Sequence, residues 1–233
     1  VESSIARDSD FVLPIHAGPE IGVASTKAFT GQLIVLYLLA LKISETRKEI
    51  TQNDYVKKIN EIKNLPSQIE IALNCQDKIQ LVAKDFLKAK GVMFLGRGLS
   101  FPIALEGALK LKELSYLHAE GYPAGEMKHG PLALIEEGLP VVVIAPKDRY
   151  FEKTISNMQE VIARGGKVLL ITNESTNIIS ENVRFSLKLP KTEDLLTPFL
   201  STIPLQLLAY HVASLKNCDI DKPRNLAKSV TVE

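Results

Sequence analysis

The sequence predicts an α/β fold, a doubly wound parallel sheet with helices on both faces. Two observations carry this expectation. Short apolar or β-rich runs bounded by Gly, Pro or polar residues recur along the chain, and helical patterns separate them. The runs are Val92 to Leu95, Val141 to Ala145, Val168 to Thr172 and Phe185 to Leu189. Ile103 to Leu117 and Phe151 to Arg164 lie between them, and Pro198 to Leu215 follows the last. Right-handed crossovers wind such an order into three layers. A polar-rich helical region from about Tyr55 to Lys90 opens the unit.

Upstream of about Ile50 the pattern is incomplete. Phe11 to Ile15 reads as a strand, and Ser25, with Thr26 as the alternative, is the expected N-cap of a helix running to about Leu41. One strand and one helix cannot close a core, so they are expected to be the C-terminal remnant of a preceding α/β domain. Val1 is followed by a polar stretch, neither a signal peptide nor an initiator context, so the chain is expected to begin inside a longer protein.

Composition narrows the function classes. The 233 residues are 45% hydrophobic and 24% charged, enough to bury a substantial core. With 28 basic and 27 acidic residues the net charge is +1, and no Lys/Arg cluster with interleaved aromatics occurs, so neither nucleic acid nor an anionic membrane is an expected partner. The longest apolar stretch, Leu33 to Ile43, is interrupted by Lys42 and is too short to span a bilayer; it reads as a core helix. Cys75 and Cys218 have no CxxC partner or His at ligand spacing, which argues for no metal and no disulfide framework and fits a cytoplasmic protein.

The segment Ile103 to Leu117 carries the chemistry. Glu106, Lys110 and Glu113 are spaced i, i+4, i+7 and fall within roughly 60° of one helical face. Apolar residues occupy the remaining sides, the pattern of a helix buried nearly all round, and Lys112 alone points the opposite way. An i, i+4 pair on a half-exposed face would be worth a few tenths of a kcal/mol and nothing more. A carboxylate among apolar groups has its pKa raised by desolvation, while a neighbouring ammonium pulls it back, which tunes a general base toward neutrality. Spacing by itself leaves both readings open.

Three ordered blocks carry a family resemblance: AGPEIGVASTKAFTGQL (Ala17 to Leu33), GRGLSFPIALEGALKLKELSYLHAEGYPAGEMKHGPLALI (Gly96 to Ile135) and KPRNLAKSVTVE (Lys222 to Glu233). Together they resemble the isomerase half of the glucosamine-6-phosphate synthases, enzymes built from a glutaminase domain and two sugar isomerase (SIS) domains. The resemblance implies an SIS-type fold, with 1–50 the end of the first SIS domain and a linker, 51–221 the second, and 222–233 a catalytic tail. It also implies a homodimer, no cofactor, and ammonia supplied by a glutaminase domain. The family's Ser-Gln-Ser-Gly-Glu-Thr phosphate loop would lie upstream of Val1 and is not in this sequence.

The reaction implied is conversion of fructose 6-phosphate and ammonia to glucosamine 6-phosphate, the entry to UDP-N-acetylglucosamine. Glu113 matches the glutamate that moves a proton from C1 to C2, Lys110 a lysine assisting at the sugar oxygens, and Glu106 completes the polar face. His129, in GEMKHGP, matches the ring-opening histidine, which relatives contribute from the neighbouring subunit. Lys228 matches the lysine that forms a Schiff base with the open-chain ketose, and Arg224 resembles a tail anchor or gate. Val23, Ser25 and Ala227 match sugar-contacting positions. Leu226, Ala227, Val230 and Val232 are expected to dock the tail, desolvating the amine.

Other motifs are read as architecture. Gly121 to Pro131 is expected to be a shaped loop, and GRGLS from Gly96 to Ser100 an architectural turn that fits neither the P-loop nor GxGxxG. Glu193, Asp194 and the run Lys147 to Arg149 are expected to be solvated loop charges. Two other functions are consistent with the same motifs: a stand-alone SIS isomerase, deaminase or deglycase, and a non-catalytic sugar-phosphate sensor. The NLAKSVTVE ending disfavours the first, and the full acid, base and amine set disfavours the second.

Overall fold

The computed structural model describes residues 3–174 and 183–228. Five strands, β1 (Val92–Gly96), β2 (Ala119–Pro123), β3 (Pro140–Ile144), β4 (Lys167–Thr172) and β5 (Val183–Lys188), form one sheet in the order β2-β1-β3-β4-β5. All four pairings are parallel. Helices α3 (Gln52–Leu73), α4 (Gln76–Ala83), α5 (Ser100–Ser115), α6 (Phe151–Ile162) and α7 (Thr197–Leu215) surround it, preceded by α1 (Ser4–Asp8) and α2 (Lys27–Thr46).

Strand alternation divides the core into two faces. Val92, Phe94, Val142, Ile144, Leu169 and Ile171 pack under α5 and α7, while Met93, Leu95, Val141, Val143 and Leu170 pack toward α6. Both faces of the central strands are therefore buried, which is why these segments read as apolar throughout. The three-layer doubly wound arrangement is as the sequence predicts. Fully buried Leu111, Leu205 and Leu208 belong to the core that α5 and α7 share. Gly107 permits the close approach of α5, since a Cβ there would lie 2.8 Å from Leu205 Cδ1 and 3.0 Å from the Phe94 ring.

The structure corrects several expectations. Gly121 lies in a strand rather than in a loop: Ala119–Pro123 pairs with β1 as the sheet edge. Its Glu, Gly and Pro carry no strand propensity, but a Cβ at Gly121 would come within 2.9 Å of Leu105 N, so the strand is placed by close packing on α5. Phe11 to Ile15 forms no strand, has no pairing partner among the described residues, and leaves Phe11 92% exposed. The long helix starts at Lys27 and reaches Thr46, so Thr26, not Ser25, holds the N-cap position, with no side-chain cap bond of its own.

Helix α2 is also not a core helix here. Leu41 is its sole buried residue, and Leu36, Leu38, Leu39 and Ile43 are exposed. Its 20 residues, like 194–215, are long and apolar enough to cross a membrane by length and composition; the latter is 72% buried in the domain. Glu193 is more than a solvated charge, for it pairs with Lys58 of α3 and accepts from Tyr37 of α2 at 3.5 Å. Burial, and then Glu193, pushes the Tyr37 hydroxyl up to about 12. Asp148 is half-buried rather than solvated, and its Oδ1 accepts from Tyr150 N at 2.8 Å just ahead of α6.

Candidate active site

The three charges of α5 converge as their spacing requires. Lys110 is 4% exposed at its side chain, with Glu113 Oε2 at 2.5 Å and Glu106 Oε1 at 3.8 Å. The first contact is a charge-assisted hydrogen bond. The second is an ion pair beyond bonding distance, and Glu106 Oε1 is buried without a hydrogen-bond partner. Burial raises the Glu106 carboxyl above its ordinary value of 4.5, against the pull of Lys110 and reinforced by Glu113. The less buried Glu113, 22% exposed, is the carboxylate that can reach a ligand.

Helix α5 is buried on one side only. Ile103, Ala104, Ala108 and Leu111 face the core, while Leu105 and Leu109 are 45% and 41% exposed beside Lys112. The expectation of burial nearly all round fails because α5 sits over β1 and β2 at the end of the sheet, with no helix covering its outer stripe among the described residues. A Tyr116 backbone at φ 60 ends the helix and turns its ring toward the C-terminal tail.

As far as Lys228, two polar bonds tie that tail to the rest of the chain. Arg224 N donates to Tyr116 Oη at 2.8 Å, and the Arg224 guanidinium stands 4.2 Å over the same ring. Lys228 Nζ donates to Glu20 Oε2 at 2.6 Å. Leu226 and Ala227 are exposed, so neither docks the tail, and Pro223 is buried; Val230 and Val232 lie outside the described residues. The Lys228 side chain is 42% exposed, not desolvated.

Val23 N donates to Asp221 O at 2.9 Å, tying the GVAST segment to the tail root. Ser25 is half-buried close by. A cleft of about 280 Å³, lined by Glu20, Gly22, Leu114, Gln206 and Asp221 among others, joins the end of α5 to the carboxylate that holds Lys228. Gln206 contributes a buried, unpartnered Nε2 there. His129 is not brought to this group: it lies on the surface, 76% exposed, 4.0 Å from Glu126.

Glu20 and Tyr116 are the residues sequence reasoning missed. Glu20 lies in AGPE, three residues before Val23, and Tyr116 directly after the charged helix; either position could have raised the question. The GRGLS turn leads directly into α5 at Ser100. Gly98, at φ +57, lies so close under the Tyr150 ring that a Cβ would be 2.6 Å from it, leaving the cradle filled. No group of three or more His, Cys, Asp or Glu side chains suited to a metal occurs among the described residues.

This fold, with its buried acid-base trio, has a match among known families: the SIS domain, over residues 85–216. The chain belongs to the SIS family. Over its full length it is 53% identical to the glutamine–fructose-6-phosphate aminotransferase (isomerizing) of Aquifex aeolicus, of which it spans 38%. The C-terminal domain of the glucosamine-fructose-6-phosphate aminotransferase of Francisella tularensis superposes with a TM-score of 0.91 at 46% identity, covering 95% of this chain and 63% of that one. A Thermotoga maritima glucosamine-6-phosphate deaminase is more distant, at 28% identity and a TM-score of 0.73 over 98% of this chain and 64% of that one. The SIS match contains α5 and its trio whole, and leaves Glu20 and Lys228 outside it.

Proposed function

We propose that this chain is the isomerase part of a glutamine–fructose-6-phosphate aminotransferase, making glucosamine 6-phosphate from fructose 6-phosphate and ammonia. The observation that carries the reading is end-to-end identity of 53% to a relative of that name, across the segment holding Glu106, Lys110 and Glu113 as one buried unit. The more distant deaminase likeness favours the aminotransferase over a stand-alone enzyme.

In this reading Glu113 takes the C1 proton of the open-chain imine and returns it to C2. One carboxylate can serve both carbons because they are adjacent. Lys110 stands between the carboxylates as a cation that steadies charge on the sugar oxygens, and Glu106 balances it. Lys228 forms the Schiff base with the ketose, Arg224 anchors its tail, and Val23, Ser25 and Ala227 contact the sugar. His129, exposed and paired with Glu126 here, opens the ring in a neighbouring subunit's site, which makes a homodimer part of the proposal. Ammonia comes from a glutaminase domain, and a cytoplasmic location and the UDP-N-acetylglucosamine route follow from the same reading.

The test is Glu113→Gln in the full-length enzyme with glutamine and fructose 6-phosphate. Glucosamine 6-phosphate formation should fall by about 10² to 10⁴, the range of a lost general base, while sugar binding survives. Undiminished turnover would remove Glu113 from the chemistry. A chain that binds the sugar phosphate but never turns it over would be a sensor instead.

A further inference from the structure

Glu20 has no part in the proton chemistry of α5, yet it is bonded at both ends. Its Oε1 accepts from Thr26 N at 3.2 Å, closing the start of α2, and its Oε2 accepts from Lys228 Nζ at 2.6 Å across 208 positions of sequence. The Lys228 bond is the largest of the effects that hold this carboxyl below its ordinary 4.5, with the Thr26 and Ala28 amides adding to it against burial. A carboxylate fixed to the end of a 20-residue helix is a rigid post. The tail it meets has few bonds here: beyond Arg224 the residues through Lys228 are exposed, and the Lys228 amine is the next side-chain bond among the described residues.

We propose that Glu20 is the positioning residue for the Lys228 amine, holding it beside the cleft that Glu20 lines until it attacks the open-chain carbonyl. The proposal rests on the Schiff-base reading of Lys228. The ammonium gives one proton to solvent as it leaves the Glu20 ion pair. The freed lone pair forms the N–C bond, the C–O bonds break, and the two remaining nitrogen protons leave with the carbonyl oxygen as water, giving a neutral imine. An amide at position 20 could still accept from Thr26 N, but carries no charge to attract and hold the ammonium. Cap and post are therefore separable by one substitution.

The experiment uses the full-length enzyme, with borohydride trapping of fructose 6-phosphate on Lys228 read by peptide mass. Glu20→Gln should slow trapping and kcat by roughly 10² through misplacement of the amine, with KM for the sugar within about 3-fold and melting temperature nearly unchanged, and Glu20→Asp should recover part of the rate. Hydrogen exchange gives a second reading: the 222–228 backbone should exchange faster in Glu20→Gln and Lys228→Met, and at the wild-type rate in Lys228→Arg, which keeps the ion pair without an imine. Wild-type trapping with equal trapping in Glu20→Gln would overturn the role of Glu20 alone. If the wild type never labels at Lys228, the Schiff-base reading fails and takes this proposal with it.

Discussion

Replacing Lys110 by methionine addresses the electrostatics of α5 most directly. Methionine keeps most of the unbranched stem and removes the ammonium, so the change is one of charge more than packing. Lys110 lies between two carboxylates at 2.5 and 3.8 Å, and Glu106 is 11% exposed. Without the cation, Glu106 faces Glu113 uncompensated, and it escapes by binding a proton. That escape sets a ceiling on the cost. From an ordinary value of 4.5, holding the proton at pH 7 costs about 3.4 kcal/mol at 1.36 kcal/mol per unit. At pH 5 the same ceiling is about 0.7 kcal/mol. Losing the bond to Glu113 adds about 1 kcal/mol, and release from burying an ammonium returns part of it. The expected loss is about 2–4 kcal/mol at pH 7, or roughly 4–16 °C in melting temperature for a chain of this size. Urea melts of wild type and variant between pH 5 and 8 measure it. A loss below about 0.5 kcal/mol at pH 7, or one equal at pH 5 and 7, would refute the account of α5 as a coupled buried unit.

Two further outcomes follow from the same contacts. Glu106 has its carboxyl raised in the folded state, so the fold holds that proton more tightly than the unfolded chain. Wild-type stability is therefore lost as pH rises above 4.5, and Glu106→Gln should gain in melting temperature relative to wild type from pH 4.5 to 7; a flat or falling difference across thermal melts would contradict this. Gly121→Ala should cost about 1–3 kcal/mol, because its Cβ would meet the Leu105 backbone at 2.9 Å, which cannot rotate away. A melt within 1 °C of wild type would mean that β2 and α5 can part freely.

Much of the fold was legible in local pattern. Parallel strands buried on both faces print apolar runs, and β1, β3 and β4 appear at or near their read positions. Helices α6 and α7 likewise lie close to their periodicity. The edge strand β2 was not legible, since AEGYP has no strand character and is extended because Gly121 fits against α5. The exposure of α2 was also hidden, because an apolar run states what a segment would bury and not what lies beside it.

The site divides in the same way. The convergence of Glu106, Lys110 and Glu113 was determined by sequence alone, because helical geometry turns i, i+4, i+7 into one face with no help from the rest of the molecule. The attachment of the tail was decided by tertiary structure. Nothing local joins Glu20 to Lys228 or Tyr116 to Arg224, pairs 208 and 108 residues apart. Those bonds exist because the chain, after α7, returns past the start of α2 and the end of α5, and side chains that far apart meet only when the core has placed the elements that carry them.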